Sequence, residues 1–413
     1  MSLHNQHAFL SSAGSDAPSF SIFRALLRRL VGKLECGELV LETPGGSRLA
    51  FEGLRPGPHA RVKIHSWRLL RRFMSGGDIS LAESYMAGEW SSPNLAALLT
   101  LGGRNSCLEE PRNVLRTPRL ALKLRHALNR NTRGGSRRNI AAHYDLGNAF
   151  YKPWLDTGMN YSAGIFSDPA QSLEAAQEAK IDRVCELLSL QGGERVLEIG
   201  CGWGAVAERL TRQQGADVTG ITLSAEQLAY ARNRLQPEIT AGRCDLRFQD
   251  YRDVQGSFDR IVSIEMLEAV GEPYWPTYFE KLRESLRPGG IAVLQVITIA
   301  EDRFENYRRR PDFIQKYIFP GGMLPTASAI KRETENAGLR LTAQEFFGDG
   351  YTQTLDQWKH RFEQAWPTLS GLGFDARFKR MWEYYLAYCQ AGFETGAVDV
   401  GLYKIERPAI AAP

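Results

Sequence analysis

Three glycines at alternate positions follow a carboxylate where a buried strand would meet a helix. Residues 195–204 read Arg-Val-Leu-Glu-Ile-Gly-Cys-Gly-Trp-Gly, and an apolar helical pattern begins at Ala205. This order predicts a strand, a tight turn and the start of a helix. Glycine admits φ > 0 and lets the backbone approach a ligand, and the first turn of a helix offers unpaired N–H groups. We therefore expect a ligand to bind at this turn.

Two classes of cofactor use such a turn. Dinucleotide enzymes favour G-x-G-x-x-G, with an acidic residue about 20 positions on that binds the ribose. Here the spacing is G-x-G-x-G, and the next predicted strand ends in Thr222 instead of a carboxylate. Glu198, just before the glycines, suits S-adenosylmethionine (SAM) better, since SAM has no pyrophosphate for a carboxylate to repel. A glycine turn alone is a weak signal, so the surrounding elements decide.

The elements that must position this turn alternate between strands and helices. The pattern predicts strands at 195–199, 217–222, 245–249, 258–264, 291–297, 339–347 and 398–405. Helical patterns cover 175–190, 225–235, 275–286 and 326–337. Such alternation indicates a doubly wound, mainly parallel α/β sheet that binds ligands beyond the carboxyl ends of its strands. The glycine turn, Thr222, residues 249–251 and residues 265–268 all fall at such ends.

The length of 413 residues indicates two or three domains. We expect a polar, disordered lead-in at 1–20, a smaller α+β domain at 21–122, a basic linker at 123–138 and a catalytic domain at 139–413. In the smaller domain the patterns predict helices at 20–30, 67–74 and 79–86 and strands at 38–43, 47–51 and 60–64. The composition is ordinary for a globular protein, with 43% hydrophobic and 24% charged residues. The six scattered cysteines indicate reduced thiols in a cytoplasmic protein. The sequence has neither a secretory signal nor an apolar run long enough to span a bilayer.

Basic residues concentrate between the two predicted domains. Residues 112–138 hold nine Lys or Arg and no acidic residue, with leucines in between. The segment is either a solvated linker or an amphipathic stretch on anionic lipid. Nucleic acid is disfavoured as a partner, because there is no base-reading motif. We expect peripheral association with the inner face of the membrane, and a homodimer remains open.

Two insertions in the catalytic domain are rich in aromatic residues. One covers 301–325 and the other 350–388. Their aromatic rings either pack the added helices or wall an apolar tunnel over the site.

Seven motifs, taken in order, resemble the cyclopropane-fatty-acid synthases and the related mycolic-acid methyltransferases. They begin at His143 (HYDLGN), Asn160 (NYS), Val196 (VLEIGCGWG), Gly220 (GITLS), Gln249 (QDYRD), Asp259 (DRIVSI) and Tyr317 (YIFPGG). The resemblance covers the whole second domain, and the first domain resembles the N-terminal domain of the bacterial phospholipid enzymes less specifically. It implies a seven-stranded Rossmann-like SAM methyltransferase domain of class I. It also implies methyl transfer from SAM to the double bond of an unsaturated acyl chain.

The resemblance also assigns site residues. Cofactor binding falls to Tyr161, Ser162, Gly200, Gly202, Thr222, Gln227, Asp250 and Tyr251, and the pattern of the glycine turn adds Glu198. Tyr161 and Ser162 would contact the methionine end, and Asp250 and Tyr251 would lie near the adenine. The catalytic candidates are His143, Glu265, Glu268, Tyr317 and Tyr351. In the family a bound bicarbonate, held partly by a Glu and a Tyr, is the base, and Glu268 and Tyr351 fall at those positions.

The chain departs from the family pattern around this base. Ala163 replaces a Cys, Ala269 and Gln295 each replace a His, and Glu265 replaces a Gly. These departures leave open whether bicarbonate binds and how the carbocation formed by methyl transfer is resolved. Proton loss from the new methyl group closes a ring, whereas loss from a neighbouring carbon gives a methyl-branched alkene. Glu265 or Glu268 could be the base in either case, and Glu265 could instead form a structural ion pair.

The leading interpretation is a cyclopropane-synthase-like methyltransferase that acts on phospholipid acyl chains. An acyl-chain methyltransferase that closes no ring is the alternative within that class. A SAM-binding but inactive partner at the lipid surface is the alternative from another class. A nucleic-acid methyltransferase is disfavoured, since its catalytic Pro-Pro and Pro-Cys motifs are missing.

Overall fold

A computed structural model describes residues 34–105, 131–132, 134–136, 139–140 and 146–409. Contacts divide the chain into two compact units, 1–119 with 366–397 and 120–365 with 398–413. We expected residues 366–397 in the catalytic domain, whereas the contacts group them with the first unit. The predicted helix at 20–30, most of the basic segment 112–138 and His143 lie outside the described residues. No helix in the described ranges is long and apolar enough to cross a membrane.

The first unit is built on a four-stranded sheet. Its strands are β1 (Cys36–Glu42), β2 (Arg48–Glu52), β3 (Arg55–Ile64) and β4 (Trp90–Ser91), in the order β2-β1-β3-β4. Alternate residues of the longer strands, such as Leu39, Leu41 and Val62, are buried, which is the pattern of a sheet with one covered face. The three strands predicted in this region are present.

Three helices complete the first unit: α1 (Arg68–Met86), α2 (Leu95–Arg104) and α13 (Ala376–Glu394). The two helices predicted at 67–74 and 79–86 form the single α1, which breaks at Gly77 with φ 62°. Two side-chain bonds join α13 to this unit. The Tyr85 hydroxyl donates to Glu383 at 3.1 Å, and the Thr100 hydroxyl donates to Glu394 at 2.6 Å.

The second unit contains a seven-stranded sheet in the order β10-β11-β9-β8-β5-β6-β7. Its strands are β5 (Arg195–Ile199), β6 (Asp217–Thr222), β7 (Cys244–Phe248), β8 (Phe258–Ile264), β9 (Leu286–Ile299), β10 (Arg340–Phe346) and β11 (Val398–Glu406). Strands β5 to β9 pair in parallel, and β11 is antiparallel to both β9 and β10. All seven predicted strands are present, and the mainly parallel sheet is confirmed.

Helices cover both faces of this sheet. They are α3 (Asn148–Tyr151), α4 (Leu173–Leu188), α5 (Ala205–Arg212), α6 (Ala225–Arg234), α7 (Gln236–Thr240), α8 (Trp275–Ser285), α9 (Glu301–Tyr307), α10 (Phe313–Tyr317), α11 (Ala327–Asn336) and α12 (Gly348–Gly371). Successive residues of β5 point to opposite faces, so Val196 joins a buried cluster with α4, α5 and α6. Leu197 joins a second cluster with α8 and α11. Burial on both faces gives the doubly wound, Rossmann-like arrangement and leaves the strand ends free to build a site.

Candidate functional site

The glycine turn follows β5 as predicted. The N–H groups of Gly200 and Cys201 both donate to the carbonyl of Ile221 at 2.9 Å, which anchors the turn to β6. Gly202 has φ 51°, and a Cβ built on it meets no atom of the described residues within 4 Å. The turn is therefore held from behind by β6 and open in front of Gly202, which is the cradle that a closely approaching ligand needs.

Glu198, at the end of β5, gives the turn an unsatisfied acceptor. Its side chain is buried, and Oε2 has no hydrogen-bond partner among the described residues. Burial raises the pKa of Glu198 to about 8, and the positive charge of Lys180 partly opposes that rise. A buried acceptor without a donor calls for one from a ligand. The ribose hydroxyls and the ammonium of SAM are such donors, so these residues fit SAM.

The other residues assigned to the cofactor separate into two groups. Thr222 and Gln227 lie together after β6, where the Thr222 hydroxyl donates to the Gln227 amide oxygen at 3.1 Å. The carboxylate of Asp250 accepts from the Arg252 guanidinium at 2.8 and 2.6 Å. Tyr251 is part of the core, with its ring 5.2 Å from that of Tyr278. Both groups are thus engaged by the protein: the first lies at the carboxyl end of β6, and the second is held by Arg252 and the core.

The turn 161–163 carries the residues assigned to the methionine end of SAM. The ring of Tyr161 lies against three aromatic rings, those of Tyr151 at 5.4 Å, Trp154 at 5.8 Å and Trp358 at 5.1 Å. Trp358 belongs to the second aromatic insertion, whose first part therefore packs at the site. Aromatic residues later in this insertion, including Trp382 and Tyr385, belong to the first unit.

Two residues of helix α4 that were not predicted as site residues donate hydrogen bonds to the same turn. Lys180 Nζ donates to the Ser162 hydroxyl at 2.7 Å, and the Gln177 amide donates to the Ser162 carbonyl at 2.7 Å. Both side chains are buried. The available signal was two polar residues three positions apart on the apolar face of a helix, where a polar group needs a partner.

The carboxylate of Glu265 is the centre of a cluster drawn from four segments. Oε1 accepts from the Ala163 N–H at 2.9 Å and from the Gln295 amide at 2.8 Å. Oε2 accepts from the Tyr351 hydroxyl at 2.8 Å. Burial raises the pKa of Glu265, while the three donors and Lys180 favour its ionised form. This is the geometry of a carboxylate held in place inside the protein rather than of a surface ion pair.

Glu265 also has a left-handed backbone, with φ 48°. A residue with a Cβ pays about 1–2 kcal/mol for that conformation, whereas glycine does not. The related enzymes have glycine at this position, according to the resemblance above. The chain therefore places a carboxylate where the backbone favours glycine, and three hydrogen bonds offset the strain.

Glu268 lies one turn further on and is held differently. Oε1 accepts from the Ile297 N–H at 2.5 Å, and Oε2 has no partner in the part of the chain that the structure describes. Burial, and then the charge of Glu265, raise the pKa of Glu268 to about 8. The Met323 N–H donates to its carbonyl at 2.8 Å, which ties the loop after α10 to this site. Both shifts favour the protonated form of Glu268.

The two remaining catalytic candidates are Tyr317 and His143. Tyr317 lies in α10, where its ring is 5.4 Å from that of Phe313 and 5.1 Å from Lys316 Nζ. His143 lies outside the described residues.

The residues that the resemblance connects with bicarbonate do not fit it here. Positions 163, 295 and 351 all donate to Glu265, and the Ile297 N–H donates to Glu268. A second anion on these donors would have to displace a carboxylate of the chain itself and share a dry site with it. The chemistry below therefore uses the side chains alone.

Comparisons with known proteins extend over most of the chain. The family described as mycolic acid cyclopropane synthetase matches residues 131–402. The chain is 42% identical over 347 residues to tuberculostearic acid methyltransferase UfaA1 of Mycobacterium tuberculosis, covering 82% of this chain and 81% of that protein. It is 35% identical over 364 residues to the cyclopropane-fatty-acyl-phospholipid synthase of Escherichia coli, covering 86% and 89%.

A solved structure gives a similar result for the second part of the chain. The mycolic acid cyclopropane synthase CmaA1, complexed with SAH and CTAB, aligns with a TM-score of 0.62 and 28% identity. The alignment covers 65% of this chain and 98% of that protein. The two curated relatives thus match a longer part of this chain than CmaA1 does.

The open turn yields a prediction for ligand binding. Gly202→Val should abolish SAM binding, measured by calorimetry, because the new side chain fills the cradle. Gly193→Val is the matched control, since Gly193 also has a positive φ, 83°, and open space, but lies before β5, away from its carboxyl end. Equal loss of affinity in both variants, or unchanged affinity in a folded Gly202→Val protein, would contradict the assignment.

The raised pKa of Glu268 yields a prediction for stability. A carboxyl whose pKa rises on folding, here from 4.5 to about 8, stabilises the protein fully at low pH. That contribution is lost as the pH rises through this range, by at most about 1.4 kcal/mol per pH unit. The free energy of unfolding of the parent, measured by urea denaturation, should therefore fall relative to that of Glu268→Gln as the pH rises. The fall should occur between about pH 5 and 8, the range set by the two pKa values.

Glu335→Gln, which removes an exposed carboxylate in α11, controls for the change of charge. Parallel stability curves for the parent and Glu268→Gln would show that Glu268 is ionised in the folded protein.

Proposed function

We propose that this chain, which belongs to the mycolic acid cyclopropane synthetase family, methylates the double bond of an unsaturated acyl chain in a phospholipid. As a member of that family it is a SAM-dependent methyltransferase of the cyclopropane synthase or fatty acid methyltransferase type. The phospholipid is the finer part of the proposal. It is supported by the length of the match to the Escherichia coli phospholipid synthase, which is longer than the family match.

When bound, SAM supplies an electrophilic methyl group, which the π electrons of the double bond take from sulfur, leaving a carbocation on the acyl chain. The protein must then exclude water and remove one proton. The rings around Tyr161 provide an apolar wall, and their faces stabilise positive charge. A buried carboxylate near them serves both to stabilise the cation and to accept the proton.

Glu265 is the base in this proposal, and its hydrogen bonds are the observation that carries it. Three donors fix the orientation of its carboxylate and favour its ionised form against the burial that raises its pKa, whereas burial and the charge of Glu265 raise the pKa of Glu268 to about 8. The carboxylate takes a proton from the cation, and the C–H electron pair becomes the new bond. If the proton leaves the new methyl group the bond closes a ring, and if it leaves a neighbouring carbon the bond is an alkene beside a methyl branch.

The activity is tested with purified protein, SAM labelled with three methyl deuteriums, and vesicles of an unsaturated phospholipid. Mass spectrometry should find labelled methyl carbon in the acyl chains. A ring retains two of the three deuteriums, and a branch formed by loss from a neighbouring carbon retains all three. Label only in free fatty acid would overturn the phospholipid substrate. Binding of SAM without any labelled lipid would favour the inactive lipid-surface partner.

The role of Glu265 is tested by removing its carboxylate in two ways. Glu265→Gly should lower turnover by about 10²–10⁴-fold in carbonate-free buffer, because the base is lost. It also leaves a space lined by the donors of Ala163, Gln295 and Tyr351, so added formate or bicarbonate should restore part of the activity. Glu265→Gln is the matched control, since its amide fills the same space and should prevent rescue.

Turnover of the parent should not respond to either anion. Full activity of Glu265→Gly without an added anion, or equal rescue of both variants, would exclude Glu265 as the base.

A further inference from the structure

Lys180 is a buried cation for which the reaction above gives no role. It lies on α4 with 1% of its surface exposed, and its ammonium donates to the Ser162 hydroxyl at 2.7 Å. Ser162 is followed directly by Ala163, whose N–H donates to the Glu265 carboxylate at 2.9 Å. One short piece of backbone therefore links this cation to the proposed base.

The charges around Lys180 come from three other parts of the fold. They are Glu265 after β8, Asp156 after α3 and Glu198 at the end of β5. Asp156 is satisfied locally by the backbone N–H groups of Gly158 and Asn160 and by the Asn160 amide. Burial lowers the pKa of Lys180 to about 8, and Glu265 is the strongest of the charges that oppose this shift.

Apart from Lys180, the groups that face Glu265 carry no positive charge. Glu268 contributes a second buried carboxyl, Tyr351 a neutral hydroxyl and Gln295 a neutral amide. Among the described residues, the pKa of Glu265 is lowered by one cation only, that of Lys180. A buried carboxylate without a countercharge would take up a proton and cease to be a base.

We propose that Lys180 is a positioning residue, which holds the 161–163 turn through Ser162 and keeps Glu265 ionised by its buried charge. This inference rests on the proposed function for the role of Glu265. Its electrostatic part depends only on the arrangement of Lys180, Ser162 and Glu265.

Gln177 provides a control that separates the two parts of this role. It donates to the carbonyl of Ser162 at 2.7 Å from the same face of α4, but it carries no charge. Gln177→Met should loosen the turn and weaken SAM binding by roughly fivefold, the effect of one lost hydrogen bond. It should leave the ionisation of Glu265 unchanged.

The first measurement is the pH dependence of turnover with phospholipid vesicles. In Lys180→Met the acid limb of kcat should move upward by about one pH unit or more, because an opposite charge near Glu265 is lost. Gln177→Met should keep the limb of the parent while raising KM for SAM, and Lys180→Arg should keep the limb through its charge. An unmoved limb in Lys180→Met, or equal shifts in Lys180→Met and Gln177→Met, would overturn the proposal.

The second measurement does not require turnover. Calorimetry of SAM binding in buffers of different ionisation enthalpy counts the protons released on binding, since the cationic ligand favours an ionised Glu265. Glu198 and Glu268 also titrate near this range, so the release that belongs to Glu265 is the part lost when Glu265→Gln is added to the parent or to Lys180→Met. The midpoint of that part should rise in Lys180→Met by about the same one pH unit. Release identical to that of the parent would contradict the role of Lys180 even if the phospholipid proves not to be the substrate. A parent that binds SAM with this proton release but methylates no lipid would contradict the proposed function alone.

Discussion

The low polarity of its surroundings decides what each carboxylate at the strand ends can do. The Glu198 side chain is buried, Glu265 and Glu268 are half-buried, and burial raises the pKa of each. Among the described residues, donors reach both oxygens of Glu265 but only one oxygen of Glu198 or Glu268, and the donors of Glu265 belong to segments far apart in the chain. The hydrogen bonds therefore favour the ionised form of Glu265 more than that of its neighbours. The proposed role of Glu265 as the base depends on that difference.

The sheet supplies the framework for this difference. Strands β5 to β9 run in parallel, so the turn after β5 and the loops after β6 and β8 meet at one edge. Helix α4 packs on one face of the sheet and brings Gln177 and Lys180 to the turn 161–163. The strands and helix α4 thus fix where the loops at the strand ends begin and end, and these loops carry the polar groups of the site.

Hydrophobic periodicity was sufficient to predict the sheet, because the strands of the second unit carry apolar residues in runs or at alternate positions between turn residues. The glycine turn was predictable for the same reason. Each departure from the family at Ala163, Glu265 and Gln295 was visible in the sequence. Their meeting in one hydrogen-bonded cluster was not, since they are separated by up to 132 positions and the pairing depends on tertiary contacts. Lys180 was missed because one lysine in a helical pattern is usually solvated.

The left-handed backbone at Glu265 has a consequence for how such a site can arise. Glycine and glutamate codons differ at a single nucleotide, and φ 48° is a conformation that glycine already favours. A glycine ancestor would have had the required loop shape before any acidic side chain was present. One point mutation could then have replaced a bicarbonate bound from solution with the carboxylate of a glutamate side chain. From that moment the supply of the base would have depended on translation instead of on dissolved carbon dioxide.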